Sequence, residues 1–120
     1  MTKKVYIFDD DPDILELCKI LLGSRGYKVF TARDCNGIVE ALREKMPDVV
    51  LMDNRIPESG GPEAIRLIRA DEHTRSIPII FFSANTNVEE LSREAGADDF
   101  IQKPFDIGEL EKIVQKYAGN

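Results

Sequence analysis

Short apolar or β-prone segments alternate strictly with segments of helical periodicity along this chain, five of each, with no repeat, low-complexity tract or linker between them. The strand-like segments cover 4–8, 28–31, 49–52, 78–82 and 99–102, and the helical ones 12–25, 35–46, 62–71, 88–95 and 107–117. Parallel strands need a crossover connection, usually a helix, and that crossover is right-handed. The alternation therefore predicts a parallel sheet covered by helices on both faces, an α/β three-layer sandwich. Segments one, three and four are nearly continuous apolar runs, as strands buried on both faces require. Segment two, Tyr27-Lys28-Val29-Phe30-Thr31, alternates with polar residues, and segment five is short and carries Asp99 and Gln102. Those two fit the edges, which predicts strand order 2-1-3-4-5.

Helix boundaries are written in caps as well as in periodicity. Asp11-Pro12 reads as an N-cap followed by proline at the first helical position, with Ile14, Leu17, Cys18, Leu21 and Leu22 recurring on one face. Gly26 supplies a stop through the left-handed conformation. Gly61-Pro62 repeats the cap-then-proline start ahead of Ile65 and Ile68. Asn87 with Glu90, and Asp106 with Glu109, have capping-box spacing. Leu110, Ile113, Val114 and Tyr117 form the stripe expected to be buried in the last helix.

Composition narrows the function classes. The 120 residues fit one domain, expected to span 1–120 with no output domain beside it. Acidic residues outnumber basic ones 22 to 16, giving a net charge of −6, and no basic block provides a footprint for direct nucleic-acid binding. The apolar runs are far too short for a membrane span or a signal-peptide core, so a cytoplasmic location is the default expectation. Cys18 and Cys35 have no metal-ligand spacing and read as small apolar residues on helices. The single histidine, His73, lies in a polar connection and reads as exposed.

The chemistry sits at the strand ends. The first strand runs into Asp9-Asp10, the third into Asp53, the fourth into Ser83 and the fifth into Lys103. In an open α/β sheet ligands bind beyond the carboxyl ends of the strands, where the strand order reverses, here between strands one and three. That rule gathers Asp9, Asp10 and Asp53, with Ser83 and Lys103 alongside. Two full charges about 4 Å apart repel by about 4 kcal/mol at an effective dielectric near 20, so grouped carboxylates call for a counter-charge. A hard divalent cation such as Mg²⁺ or Mn²⁺ suits an all-oxygen set and still leaves room for a phosphate. Lys103 and the Ser83 hydroxyl are placed to meet phosphoryl oxygens, and Asp53 to act as a carboxylate nucleophile.

The ordered set Phe8-Asp9-Asp10-Asp11, Leu51-Met52-Asp53 with Pro57 four residues on, Ser83-Ala84 and Lys103-Pro104-Phe105 resembles response-regulator receiver domains over essentially the whole chain. The resemblance implies a flavodoxin-like (βα)5 fold, for which chemotaxis receivers are a standing example of the strand order. It implies Asp53 as phosphoacceptor, Asp10 and Asp53 as direct metal ligands, the backbone carbonyl of Arg55 as a third, and Asp9 acting mainly through water. It also implies a cis Lys103-Pro104 bond, and Ser83 and Phe100 as the hydroxyl and aromatic switch positions that couple the site to the face of helix four, strand five and helix five. Expected partners are a histidine kinase or histidine phosphotransfer protein as donor and a downstream protein target, with the chain a monomer or a weak phosphorylation-dependent dimer. No independent enzymatic substrate is expected.

Departures from the family pattern are local. Gly60-Gly61 stands where many members have aspartate-glycine, an exchange expected to affect only the turn. Arg55 and Asn85 flank the site and are expected to tune the lifetime of the phosphorylated state. The stretch 83–96 is about two residues shorter than in many relatives, judged by the spacing of its motifs. Other readings compete. Asp11 is better explained as a helix cap than as a site residue, Ser83 also reads as a turn cap, and Phe100 as a core aromatic. A phosphate-independent interaction domain would keep the same residues by descent. An aspartyl phosphatase would need an acid two residues after the nucleophile, where this chain has Arg55.

Overall fold

The computed structural model describes residues 2–56 and 60–119. Five strands and five helices alternate in the order β1 (Lys4–Phe8), α1 (Pro12–Ser24), β2 (Lys28–Ala32), α2 (Ile38–Lys45), β3 (Val49–Asp53), α3 (Gly60–Ala70), β4 (Ile79–Ser83), α4 (Val88–Ala95), β5 (Asp99–Gln102) and α5 (Ile107–Ala118). The strands form one parallel sheet of order β2-β1-β3-β4-β5, so the two polar segments do occupy the edges. Asp53 and Ser83 close their strands rather than follow them, one residue later than the apolar runs suggested.

Alternation along each strand sorts the core onto the two faces of the sheet. Val5, Ile7, Leu51, Ile80, Phe82 and Ile101 pack with α1 and α5, whereas Phe8, Val50, Met52, Ile79 and Phe81 pack with α2, α3 and α4. The central strands β3 and β4 are buried at all positions, and each large side chain so buried contributes roughly 1.5–3 kcal/mol.

Local signals held where the backbone let them. Asp11 is extended and its carboxylate accepts from Asp13 N at 2.9 Å, with Pro12 opening α1. Asp106 does the same for Glu109 N at 2.8 Å. Asn87 precedes α4, but its side chain makes no cap bond: with φ −97° and ψ 34° it lacks the extended backbone from which a cap side chain reaches the first turn. In α1 the buried residues are Leu15, Cys18 and Leu22, and Leu17 is exposed. Periodicity defined the stripe, but packing into the core shared with β1 and α5 centres it about a third of a turn away from Leu17. In α5 the burial runs through Leu110, Val114 and Ala118, with Ile113 and Tyr117 at its half-buried margin.

Two boundaries differ in instructive ways. Cys35 does not lie on α2, which begins only at Ile38 after Gly37 takes φ 64°. The thiol is nevertheless buried, 4.0 Å from Met52 Sδ. Cys18 and Cys35 face opposite sides of the sheet, which keeps them from pairing, and burial pushes both thiols up to about 11. α3 starts at Gly60, so Gly61 and Pro62 lie inside its first turn, where a missing N–H is tolerated. Pro57 lies outside the described residues. His73 is exposed, as expected. Among the described residues no helix is long and apolar enough to cross a membrane.

Candidate functional site

The same alternation that sorts the core builds the site. Asp9 stands two residues beyond Ile7, Asp53 two beyond Leu51 and Lys103 two beyond Ile101, so all three inherit the α1/α5 face. Lys103 Nζ donates to Asp9 Oδ2 at 2.8 Å and to Asp53 Oδ1 at 3.0 Å. Asp9 is fully buried and its other oxygen accepts from Asp11 N at 2.9 Å, while Asp53 is 6% exposed and Asp10 lies open to solvent. Carboxylate oxygens of Asp9, Asp10 and Asp53 lie within 4.8 Å of one another. They line a cleft of about 140 Å³ together with Asp11, Arg55, Ser83, Ala84 and Lys103.

Backbone bonds hold these groups in place. Asp9 N donates to Ala32 O, Asn54 N to Phe82 O and Lys103 N to Ser83 O, which continues the sheet ladder to the edge of the cleft. The Lys103-Pro104 peptide is cis. Gly61 approaches Asp53 so closely that a Cβ there would stand 2.4 Å from the Asp53 carbonyl oxygen, and Gly61 N donates to Asn54 O. The exchange noted in the sequence is at Gly60; its neighbour Gly61 sets how tightly α3 packs behind Asp53. Consecutive glycines just after a strand-end acid were the available signal for such a close approach.

The electrostatics follow from burial. Removal from water pushes the Asp9 carboxyl up, partly offset by its bonds from Lys103 and the Asp11 amide, with the Asp53 charge adding to the rise. For Lys103 burial favours the neutral amine, but bonds to Asp9 and Asp53 outweigh it and the net shift is upward. Both shifts express one fact: carboxylates outnumber the ammonium, and the excess negative charge is poorly solvated. An all-oxygen set of this spacing, with Asp10 open to solvent, fits a hard divalent cation that keeps some of its waters.

Ser83 and Phe100 belong to the other face. Ser83 follows Ile79 and Phe81 along β4, and its hydroxyl oxygen accepts from Asn85 N at 3.1 Å. Phe100, opposite Phe81 in the β4–β5 register, is half-buried against the α2/α3/α4 core. Beside it Asp99 ties both neighbouring helices: its carbonyl accepts from Ser92 Oγ at 3.1 Å, and its carboxylate from Tyr117 OH at 2.8 Å and Lys116 Nζ at 3.2 Å. Asp99 drew attention only as an edge-strand marker.

A parallel five-stranded sheet of this order, with an acidic cluster and a lysine at its switch point, defines a flavodoxin-like scaffold. The chain belongs to the response regulator receiver domain family, whose family model matches residues 5–115. It is 35% identical over 112 residues to the DNA-binding response regulator MtrA of Mycolicibacterium smegmatis, covering 92% of this chain and 48% of that protein. It is 32% identical to the phosphate regulon regulatory protein PhoB of Escherichia coli, with 92% and 49% covered. The chain thus spans about half the length of the curated relatives it matches. Among solved structures it resembles the receiver domain of a Pseudomonas aeruginosa sensor histidine kinase, with a magnesium ion coordinated in the active-site cleft, at 33% identity, TM-score 0.89 and full coverage of both chains. The chemotaxis protein CheY4 of Vibrio cholerae matches at 25% identity and TM-score 0.89, covering 98% of this chain and 99% of that one. This is a receiver domain of two-component signalling.

Proposed function

We propose that this receiver takes a phosphoryl group from a phosphohistidine onto Asp53, with Mg²⁺ or a similar divalent cation, and changes its protein contacts as a result. The observation that carries the reading is the Lys103 ammonium shared between Asp9 and Asp53 at 2.8 and 3.0 Å, beside a third carboxylate. In the transfer, an Asp53 carboxylate oxygen forms a bond to phosphorus while the bond from phosphorus to the donor imidazole nitrogen breaks. The electron pair leaves with the imidazole, and Asp53 becomes an acyl phosphate.

Asp10 and Asp53, with the Arg55 carbonyl as a third donor and Asp9 through water, are the groups suited to hold the cation. When bound it neutralises charge on the carboxylates and the phosphoryl oxygens. The similar receiver domain with magnesium in its active-site cleft supports a cation at this place in the fold. The chain's own residues do the rest. Lys103 exchanges a carboxylate for a phosphoryl oxygen, and the Ser83 hydroxyl gives up the Asn85 amide to donate to another. Ser83 and Phe100 share one sheet face, and Asp99 binds α4 to α5, so a shift at Ser83 is transmitted to the α4–β5–α5 surface. Each phosphorylation is stoichiometric, so no independent substrate is assigned. A histidine kinase or phosphotransfer protein is the donor and a protein the target. With a net charge of −6 the chain is not assigned direct DNA contact.

The test is incubation with Mg²⁺ and acetyl phosphate followed by intact mass measurement. A gain of one phosphoryl group that disappears in Asp53→Asn is expected; no gain on the unmodified chain would sink the proposal. Amide exchange in α4, β5 and α5 should change on phosphorylation, and an unchanged pattern would remove the output-face part alone.

A further inference from the structure

Phe82, the last apolar residue of β4, is fully buried and is the register partner of Asp53. Its ring does more than fill the core. Lys103 Nζ stands over the ring face, 4.7 Å from the centroid, while donating to Asp9 and Asp53. The ammonium is thus held by two carboxylates and a π face together. Phe105 meets the Phe82 ring edge-on, with centroids 6.3 Å apart and planes at 77°, which fixes the ring's orientation from the segment that also carries Lys103. Leucine or methionine would fill similar volume, but only an aromatic ring offers a negative face to a cation, and the attraction strengthens where water is excluded. The Lys103 side chain is 20% exposed, so the pair is largely desolvated.

We propose that Phe82 is a positioning residue for Lys103: its ring face keeps the ammonium against Asp53 while the lysine exchanges Asp9 for an oxygen of the incoming phosphoryl group. The inference rests on the phosphoacceptor reading above. Without the ring the ammonium is still attracted to the carboxylates. It then has freedom to swing toward solvent at the moment its two-carboxylate clamp opens, and the cost falls on transfer rather than on folding.

The experiment replaces Phe82 by mono-, di- and trifluorophenylalanine, which drain the ring's negative face in steps with little change of shape. Phosphorylation rates by acetyl phosphate are measured at saturating Mg²⁺, with thermal midpoints as a check on folding. The expected result is a stepwise fall reaching about tenfold, about 1.4 kcal/mol, at trifluorophenylalanine, with Phe82→Leu at or below that rate. Rates that stay flat across the series overturn the inference, even if Phe82→Leu is slow, because packing alone would then explain the leucine variant. Should Phe82→Leu fail to fold, the fluorinated series still decides. An unmodified chain that gains no phosphoryl group overturns the phosphoacceptor reading and this inference with it; one that is phosphorylated but indifferent to fluorination overturns this inference alone.

Discussion

At the amino end of the sheet half-buried charges meet matched partners, whereas at the carboxyl end one ammonium bonds two of three clustered carboxylates and leaves the third without it. Arg69 shows the first arrangement. Its guanidinium donates to Gly96 O at 3.1 Å, Arg75 O at 2.7 Å, Ile77 O at 2.9 Å and Asp98 Oδ2 at 2.7 Å, and Asp98 in turn accepts from Ile79 N. One side chain thereby ties α3 to the end of α4 and the start of β4. Asp71 likewise gathers the Arg43 guanidinium, the amides of His73 and Thr74, and the buried Thr74 hydroxyl. Lys4 adds a bond from its ammonium to Lys45 O and one from its backbone N–H to Asp48. The same kinds of groups therefore serve two ends differently. Balanced charge stabilises one end, and unbalanced charge leaves the other ready for a cation and a phosphoryl group.

The sharpest way to break this comparison is Asp53→Asn. It should abolish phosphorylation, read by intact mass, yet leave the urea midpoint at neutral pH unchanged or raised, because one of the crowded charges is gone. An unfolding free energy lowered by more than about 1 kcal/mol would mean that the carboxyl end is also built for stability. Next in size, Mg²⁺ at a hundredfold excess over its dissociation constant should stabilise the fold by about 2.7 kcal/mol, and Asp10→Asn should lose most of that gain. Calorimetry showing equal gains in both proteins would remove Asp10 from the cation site. Arg69→Ala should cost about 2 kcal/mol in urea unfolding, since it leaves carbonyls and a carboxylate short of a donor. Its phosphorylation rate should stay within about twofold, given the distance between the two ends.

The smallest expected effect is on pH. Hydrogen bonds from Arg43 hold the Asp71 carboxyl well below the usual carboxylate range, at about 2, with the His73 amide and Thr74 adding to the shift. The unfolded carboxyl titrates near 3.9, so between about 2 and 3.9 the unfolded chain binds more protons. The Asp71 contribution is present in full above that window and is lost as pH falls through it. Asp71→Asn should therefore flatten the acid side of the stability profile and leave the slope above pH 5 alone. An unchanged acid limb would show that the Arg43 pair contributes nothing to folding.

Asp9, Asp10, Asp53, Ser83 and Lys103 were all legible before folding, because a carboxylate, hydroxyl or ammonium at the end of an apolar run needs only the topology to be placed. Strand order was legible too, since covered and half-covered strands differ in composition. Leu17 misled because helical periodicity marks a stripe without saying where its middle packs. Cys35 misled because Gly37 broke the helix start that its neighbours promised. Asn87 had the right residue type but not the extended backbone a cap needs. Gly61 and Phe82 were harder still: the glycine pair is the one local mark of the approach to Asp53, and the contact of Phe82 with Lys103 leaves no local pattern.

By itself the sequence determined the alternation, the strand order and the inventory of reactive groups at the carboxyl end, all of which follow from short-range periodicity. Tertiary structure decided how those groups divide. Asp9, Asp53 and Lys103 fall on one sheet face and Ser83 and Phe100 on the other. Lys103 reaches partners 94 and 50 residues away along the chain. Contacts of that span depend on the register and packing of whole strands, which place a strand-end lysine on a ring and between two carboxylates.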